Sequence, residues 1–397
     1  MREGTQPPYT IRALHLLSDI KFLPWIRRTF SLPHWHSSYI ILEHRKKNSA
    51  VTLGEDTTEV SDDAYGHQIV LEKLKTTDIA FHFFLNNTKA DIIARSGKDV
   101  VHCWCFYGAE IYQQTNLFRS TLYGPLTRRW LWTFPEIKFR YDFRRLYYTL
   151  VRQQIAPIAS LQRAIPNIYA ILWYVEEEMK MIDQKVKLPP WRFFQFFSFA
   201  DIIPEGTRPT NRDSKRILIG NSATIENNHA DVLPALSALK NAGYGFSLPL
   251  TYGQFPRYKS KVMATYRKVL GDQVTFMESH MPLDEYYFVL QQHPTAVFLH
   301  HRQQALGNIL YLIYTGTKVY LSIHNIVSLW LRHNGVEVFI FETDFLRDIK
   351  AQQLTLDEPT ADKNRKAIRQ LLDHTRNTET IQQLEAEILR RKENHTA

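Results

Sequence analysis

Cysteine is nearly absent: only Cys103 and Cys105 occur in 397 residues. One residue apart in an extended segment, they point to the same sheet face, where a disulfide between them would be strained. The pair therefore fits a reducing cytoplasm. No uninterrupted apolar run approaches the about 18–20 residues needed to span a bilayer. The segment Met1 to Thr10 is polar and lacks the apolar stretch of a signal peptide. These absences lead us to expect a cytoplasmic protein, or one peripheral on the inner face of a membrane. The dinucleotide fingerprint and the Walker A motif are also missing, so nicotinamide cofactors and ATP hydrolysis have no support. No Asp-x-Asp occurs; Glu342-x-Asp344 is the nearest spacing and reads as a loop. There is no low-complexity tract and no repeat of solenoid length.

What the sequence does contain is length, rings and positive charge. A chain of 397 residues exceeds one comfortable core and suits two domains of roughly 150–200 residues each. Hydrophobic residues at 44% and charged residues at 22% are ordinary for a chain folded throughout. Aromatics reach 13%, with 20 Tyr, 23 Phe and 8 Trp, which serve core packing first and sugar stacking or a membrane interface second. Lys plus Arg is 49 against 40 for Asp plus Glu, a net charge of +9. Such a balance favours an anionic partner: nucleic acid, an anionic bilayer or a phosphorylated small molecule.

In the first half, the apolar runs Ile11 to Leu17, Tyr39 to Leu42, Ile79 to Phe84, Val100 to Cys105 and Ile168 to Leu172 read as strands. Helical candidates such as Lys89 to Ser96 and Tyr112 to Leu122 lie between them. Continuous apolar strands separated by helices imply a parallel sheet covered on both faces. The polar stretch 205–216 reads as a linker. Beyond it the pattern restarts, with strands at Arg216 to Gly220, Gly245 to Leu250, Val274 to Met277, Thr295 to Leu299, Lys318 to Leu321 and Val336 to Phe341. The expectation is an α/β protein of two doubly wound Rossmann-like domains, 1–205 and 216–397, the second ending in terminal helices. In such sheets ligands sit at the carboxyl ends of the strands.

Polar residues gather at those ends. Gly220, Asn221 and Ser222 follow a buried strand, and small residues there let backbone N–H groups approach a phosphate or ribose; Asn227 or Asn228 would cap the next helix. The run Phe298-Leu-His-His-Arg-Gln-Gln-Ala-Leu-Gly-Asn308 carries two histidines and Arg302 to another strand end. Arg302 offers a bidentate fork for phosphate. Pro249 to Gly253 closes a third strand of the same domain. In the first half, Ser18 and Asp19, His82, and Glu110 lie at or just past strand ends, where a carboxylate or imidazole could deprotonate a hydroxyl. An isolated Asp after a strand is more often a cap, and a lone His within an apolar strand is more often a core group. The stretch 119–152 is dense in cations and rings, including Arg128, Arg129, Trp130, Arg144 and Arg145, and Lys185 to Phe199 adds more. This mixture suits an anionic bilayer surface. RNA is the competing partner, but no RRM, KH or zinc-knuckle signature accompanies the basic residues.

These residues together resemble the TDP-N-acetylfucosamine:lipid II N-acetylfucosaminyltransferases, the 4-alpha-L-fucosyltransferase family, glycosyltransferase family 56. The likeness runs from about residue 11 to 345. The family's Gly-Asn-Ser and Asn-x-His are similar to Gly220, Asn221, Ser222, Asn227 and His229. Its Arg-Gln-Gln-x-x-Gly resembles Arg302, Gln303, Gln304 and Gly307, its later Asn is similar to Asn325, and its Pro-x-x-Tyr is similar to Pro249 and Tyr252. Its Trp-x-x-Trp-Gly-x-Asp-x-Tyr resembles Trp104, Tyr107, Gly108, Glu110 and Tyr112, with Tyr for the second Trp and Glu for the Asp. Ser18, Asp19 and His82 match further positions, while Phe83 replaces a glycine.

The resemblance implies an inverting, metal-independent glycosyltransferase of the GT-B fold, with two Rossmann-like domains facing a central cleft and no cofactor. Its donor would be a dTDP-linked acetamido-dideoxyhexose and its acceptor an undecaprenyl-diphosphate-linked saccharide, at the inner face of the bacterial inner membrane, with no nucleic acid. The second domain would hold the donor and the first the acceptor, with Glu110 or Asp19 taking the attacking hydroxyl's proton and His82 as a further candidate. The rival from another class is a non-catalytic protein binding a nucleotide-sugar or nucleic acid on the same fold, since fold alone does not establish activity.

Overall fold

The computed structural model describes residues 9–43, 47–112, 121–135, 150, 157–253 and 255–396. The chain forms two compact units: Met1–Thr115, Arg144–Phe197 and His374–Ala397 make the first, and Asn116–Phe143 with Ser198–Asp373 the second.

The first unit is built on an eight-stranded sheet in the order β3-β4-β2-β1-β5-β6-β7-β8. Its strands are β1 (Ile11–Leu17), β2 (Trp35–Glu43), β3 (Ala50–Thr52), β4 (Thr57–Ser61), β5 (Ile79–Phe83), β6 (Val101–Cys105), β7 (Ile168–Trp173) and β8 (Trp191–Phe193). Every pairing is parallel except that of β3 with β4. Parallel strands need crossovers, so both faces are covered and the strands are apolar end to end. One face packs Leu14, Leu16, Ile40, Val60, Ala80 and Ile92. The other stacks rings: His15 lies on Phe81 at 5.0 Å, and Phe30 on Phe194 at 5.3 Å. The rings of Phe194 and Phe196 are thus core, and Trp191 donates its indole N–H to the Trp173 carbonyl at 2.9 Å. That removes them from the aromatic surface expected over Lys185 to Phe199.

The second unit carries a six-stranded, all-parallel sheet in the order β11-β10-β9-β12-β13-β14. Its strands are β9 (Arg216–Ile219), β10 (Gly245–Pro249), β11 (Val274–Met277), β12 (Thr295–Phe298), β13 (Lys318–Leu321) and β14 (Phe339–Ile340). The strand expected over Val336 to Phe341 shrinks to two residues. The following Phe341–Phe345 is a helical turn rather than a loop, with Glu342 accepting from Ser322 Oγ at 2.7 Å and from Ile323 N at 2.8 Å.

The division of the chain also differs from a single boundary at 205–216. That segment is bonded into the second unit, through Thr210 N to Thr315 O and Asn211 N to Gln291 O, both 2.8 Å. The helix Asn377–Thr396 belongs instead to the first unit. Asn377 exchanges two 2.8 Å hydrogen bonds with the Gln195 backbone, and Thr380 Oγ1 donates to Phe193 O. Further along the helix, Glu385 accepts from His34 and Trp35, Arg391 donates to the Val100 carbonyl, and Lys392 pairs with Asp78. These partners stand at the amino ends of the strands, so the helix closes that edge of the sheet. Of the helical candidates, Lys89 to Ser96 corresponds to Asn87–Arg95, while most of Tyr112 to Leu122 lies outside the described residues.

Asn377→Ala leaves the buried Gln195 N–H and C=O without partners. We expect a loss of about 1–3 kcal/mol, measured by denaturant unfolding; a change under about 0.5 kcal/mol would show that the helix is not held there.

Candidate functional site

In the second unit, β9 and β12 are neighbours whose connections leave to opposite sides of the sheet, and the carboxyl ends at such a point are where α/β sheets hold ligands. Gly220 ends β9 at φ 64°, a left-handed conformation that glycine adopts freely. A Cβ there would stand 2.6 Å from Asn227 Oδ1. That closeness has a use: Asn227 accepts from Asn221 N at 3.0 Å and donates to Ser222 Oγ and Thr224 Oγ1 at 3.0 and 2.9 Å. One buried amide therefore shapes the whole loop after β9.

The loop after β12 is tied to it. Gln304 Nε2 donates to Asn221 Oδ1 at 3.2 Å and to Thr224 Oγ1 at 3.1 Å. Ala305 then takes φ 56° at the start of helix Leu306–Thr315, which leaves that helix's first N–H groups without a side-chain cap. Gly307 lies in its first turn, and a Cβ there would make only ordinary contact with Ile202. Gln303 supplies the carbonyl that takes Arg302 Nη1 at 2.9 Å.

Among the described residues, three polar atoms of this loop are buried and find no partner: His300 Nε2, Arg302 Nε and Gln304 Oε1. Asn325, which caps helix Ile326–His333 by accepting from Val327 N at 3.0 Å, donates its amide to His300 Nδ1 at 2.9 Å. Nδ1 is therefore the unprotonated nitrogen, and Nε2 carries the hydrogen. Burial, with Arg302 close by, pushes His300 down to about 3, so it is a neutral donor. Arg302 is only 7% exposed, and among the described residues no carboxylate pairs with it. A buried guanidinium without a counter-charge is costly, which makes this strand end a place built for an anion. Among the described residues no group of three or more His, Cys, Asp or Glu is arranged to hold a metal ion.

Beside Asn221 a cavity of about 300 Å³ opens, lined by Pro249, Thr251, Tyr252, Met277, Tyr286 and Asn308 among others. Tyr252 is largely exposed there, its ring edge-on to His280. Its carbonyl accepts from Ala223 N at 2.6 Å, so the β9, β10 and β12 loops form one bonded assembly. The expected donor residues Gly220, Asn221, Ser222, Asn227, Pro249, Tyr252, Arg302, Gln303, Gln304, Gly307 and Asn325 all lie in or directly behind it. His229 does not: it is enclosed beside Tyr258, whose hydroxyl it meets at 3.1 Å, and its carbonyl takes Tyr266 OH. Asn228 sits at the helix N-cap position at φ 53° without a side-chain cap bond. It bridges Leu299 O, Leu122 O and Gly124 N instead.

The helix Pro125–Leu131 is capped by Asp231, which accepts from Leu126 N and Thr127 N. Arg128 and Arg129 are exposed. Trp130 turns inward, 5.0 Å from the Lys261 ammonium and edge-on to Tyr258, so it is not the surface ring expected. Trp132, at 72% exposure, is. Arg144 and Arg145 lie outside the described residues.

In the first unit the three expected catalytic groups have other occupations. Asp19 caps the turn Ile20–Phe22, accepting from Lys21 N at 3.0 Å and pairing with the Lys21 ammonium at 2.8 Å. His82 is sealed in the sheet, bonded to His102 at 3.0 Å, which is bonded in turn to Ser96. Burial and the neighbouring His102 hold His82 well below the imidazole range. Glu110 is buried, accepting from Tyr107 N at 3.0 Å and from the Trp104 indole at 3.4 Å. Burial pushes its carboxyl up to about 7, against the lowering effect of those bonds. The residue missed in the sequence is Lys89, wholly buried with its ammonium against Ser18. A lysine in the first turn of a helix opposes the macrodipole, and that was the available signal.

A raised carboxyl pKa means that Glu110 holds its proton longer folded than unfolded. Its favourable contribution is therefore full below the ordinary carboxylate range and is lost as pH rises through about 7. Glu110→Gln should melt progressively higher than the parent as pH climbs from 4.5 to 7.5. A melting difference that stays flat over that range would refute the buried-carboxyl assignment.

A search of curated protein sequences finds no match. Among solved structures, HepE of Anabaena in complex with UDP and glucose superposes with a TM-score of 0.63 at 9% identity, covering 95% of this chain and 100% of that one. Sucrose-phosphate synthase from Thermosynechococcus elongatus gives 0.62 at 9% identity, covering 96% and 99%. The E. coli trehalose-6-phosphate protein bound with UDP-2-fluoro glucose gives 0.60 at 8%, covering 94% and 98%. These likenesses establish the fold, that of the GT-B glycosyltransferases with two Rossmann-like units. The model of the 4-alpha-L-fucosyltransferase family, glycosyl transferase group 56, matches residues 136–370, and the chain belongs to that family and is a glycosyltransferase.

Proposed function

We propose that the protein transfers a 4-acetamido-4,6-dideoxygalactose-like hexose, with inversion, from a dTDP-sugar to an undecaprenyl-diphosphate-linked saccharide in bacterial surface polysaccharide synthesis. The observation that carries the donor half is Arg302, a buried cation without a carboxylate partner among the described residues. With the Nε2–H of neutral His300 and the uncapped first N–H groups of helix Leu306–Thr315, it would supply donors to a diphosphate. The same groups stabilise negative charge developing on the departing nucleoside diphosphate, so this end of the sheet takes on the electrostatic task of leaving-group stabilisation. The neighbouring cavity suits the nucleobase, with Tyr252 as a ring to lie against it and Asn221 shared between base and diphosphate.

The first unit takes the acceptor in this reading. The attacking hydroxyl's proton passes to a group at the carboxyl ends of β1, β5 and β6, the end that carries Asp19 and Glu110. Among the described residues no helix is long and apolar enough to cross a membrane. Contact with the lipid carrier is assigned to the exposed Arg128, Arg129 and Trp132, a cationic and aromatic surface of the kind that seats at anionic headgroups.

Arg302→Ala should weaken dTDP binding by about 10- to 100-fold, as the loss of a charge-assisted contact implies, and should reduce turnover further. Titration calorimetry across dTDP, UDP and GDP reads both the affinity and the nucleotide preference; unchanged dTDP affinity would remove Arg302 from the diphosphate site. Flotation with vesicles containing anionic lipid should fall with added salt and with Arg128→Ala/Arg129→Ala. An absence of flotation at low salt would reject the bilayer contact.

A further inference from the structure

In the first unit β1 and β5 are adjacent and their connections diverge, the same arrangement that makes the site of the second unit. Ser18, partly exposed, is the first residue past β1. Lys89, in the first turn of helix Asn87–Arg95, brings its buried amine to Ser18 Oγ at 2.7 Å. Its other two neighbours are the carbonyls of Phe83 and of Phe84, the latter at 3.4 Å. Among the described residues no carboxylate is ion-paired with it. Phe84 is held at φ 58°, a backbone state that costs a bulky residue about 1–2 kcal/mol, so these bonds fasten a turn that would otherwise relax.

Three neighbours around one nitrogen permit two protonation states. An ammonium donates to all three. A neutral amine donates to the two carbonyls and accepts the Ser18 O–H on its lone pair. Of the three hydrogen bonds, the one to Ser18 is the one whose direction reverses between the two states. Burial draws the amine down to about 7, while Glu110, Cys105 and Asp62 on neighbouring elements favour its charged form; His82 on β5 feels the same charge. Asp19 and Glu110, the carboxylates just past β1 and β6, are already engaged by Lys21 and by the Trp104–Tyr107 loop, and Asp62, just past β4, is bonded to His67 and Thr88.

We propose that Ser18 and Lys89 form the proton relay of the acceptor unit, with Ser18 Oγ receiving the attacking hydroxyl's proton as it hands its own to Lys89. The acceptor oxygen bonds to the anomeric carbon, and the bond from that carbon to the diphosphate breaks with its electron pair on the leaving group. The proton ends on Lys89 as ammonium and returns to water through Ser18 after the product leaves. Ser18 is a catalytic residue on this account, and Lys89 is a positioning residue acting through it. The inference rests on the transfer reading and assigns its proton a terminus.

The test is the pH profile of kcat with dTDP-4-acetamido-4,6-dideoxygalactose and farnesyl-diphosphate-linked mono- and disaccharides. Wild-type kcat should rise with pH up to about 7 and then level. Ser18→Ala and Lys89→Arg, the latter cationic but unable to take a proton, should each lose about 100- to 1,000-fold in kcat. Both should bind dTDP as the wild type does, and neither should retain the rise. Wild-type kcat in Ser18→Ala, which alters only a partly exposed loop hydroxyl, overturns the relay even if Lys89→Arg misfolds. So does a Lys89 signal, followed by NMR of lysine-labelled wild-type protein, that stays protonated through pH 9. Wild type that binds dTDP but transfers to none of these acceptors defeats the transfer reading, and the relay with it. Active wild type with an unaltered Ser18→Ala profile defeats the relay alone.

Discussion

A buried guanidinium that no carboxylate among the described residues neutralises is the constraint around which the second unit is arranged. Arg302 is held where water reaches it poorly, and removing a cation from water costs several kcal/mol unless something anionic arrives. The surrounding bonds make sense as means of keeping that position fixed. Gln304 joins the β12 loop to the β9 loop, Asn227 sets the β9 loop from behind, and Asn325 fixes the tautomer of His300. Each side chain is spent on another protein group, so that backbone N–H groups and two unbonded donors are what remain for a ligand.

The two units solve the same topological problem with different chemistry. In both, diverging connections leave one pair of parallel strand ends uncovered. The second unit fills that place with fixed positive charge and amides, which suits a diphosphate. The first fills it with groups whose protonation lies near neutrality, Glu110 and Lys89, gripping a left-handed turn. One end carries a buried cation and the other buried titratable groups, a division that follows from which residues are enclosed rather than from the fold.

Much of this was legible in the sequence and some was not. The apolar runs Ile217 to Ile219 and Thr295 to Phe298 announce buried parallel strands, because a strand covered on both faces has no polar alternation. Short strands such as Ala50–Thr52 and Trp191–Phe193 escape, being edge pieces that carry polar residues or lie within an aromatic tract. The motif residues around Arg302 were found because cations at a strand end are conspicuous. His300 stood in the same motif without being singled out, since its role depends on Asn325, 25 residues away. Lys89 was passed over because a lysine in a polar helix start reads as solvated; its place against the helix macrodipole was the one hint, and only tertiary packing shows that its amine is enclosed. Glu110, Asp19 and His82 were visible as titratable groups near strand ends, but whether a carboxylate is free or already bonded is a property of neighbours that spacing does not encode.

The return of Asn377–Thr396 to the first unit bears on the order in which the polypeptide matures. A unit closed by the helix Asn377–Thr396 has its sheet edge covered only after the second unit, through Asp373, has been made. The second unit, contiguous from Ser198 to Asp373 apart from one earlier segment, is complete while synthesis continues. Domains fold as units during synthesis, and contacts spanning 182 residues, as between Gln195 and Asn377, are slow to close. The nascent chain would thus hold a finished second unit before it holds a finished first one. A chain cut after Asp373 would keep the second unit whole while leaving the first open along the amino ends of its strands.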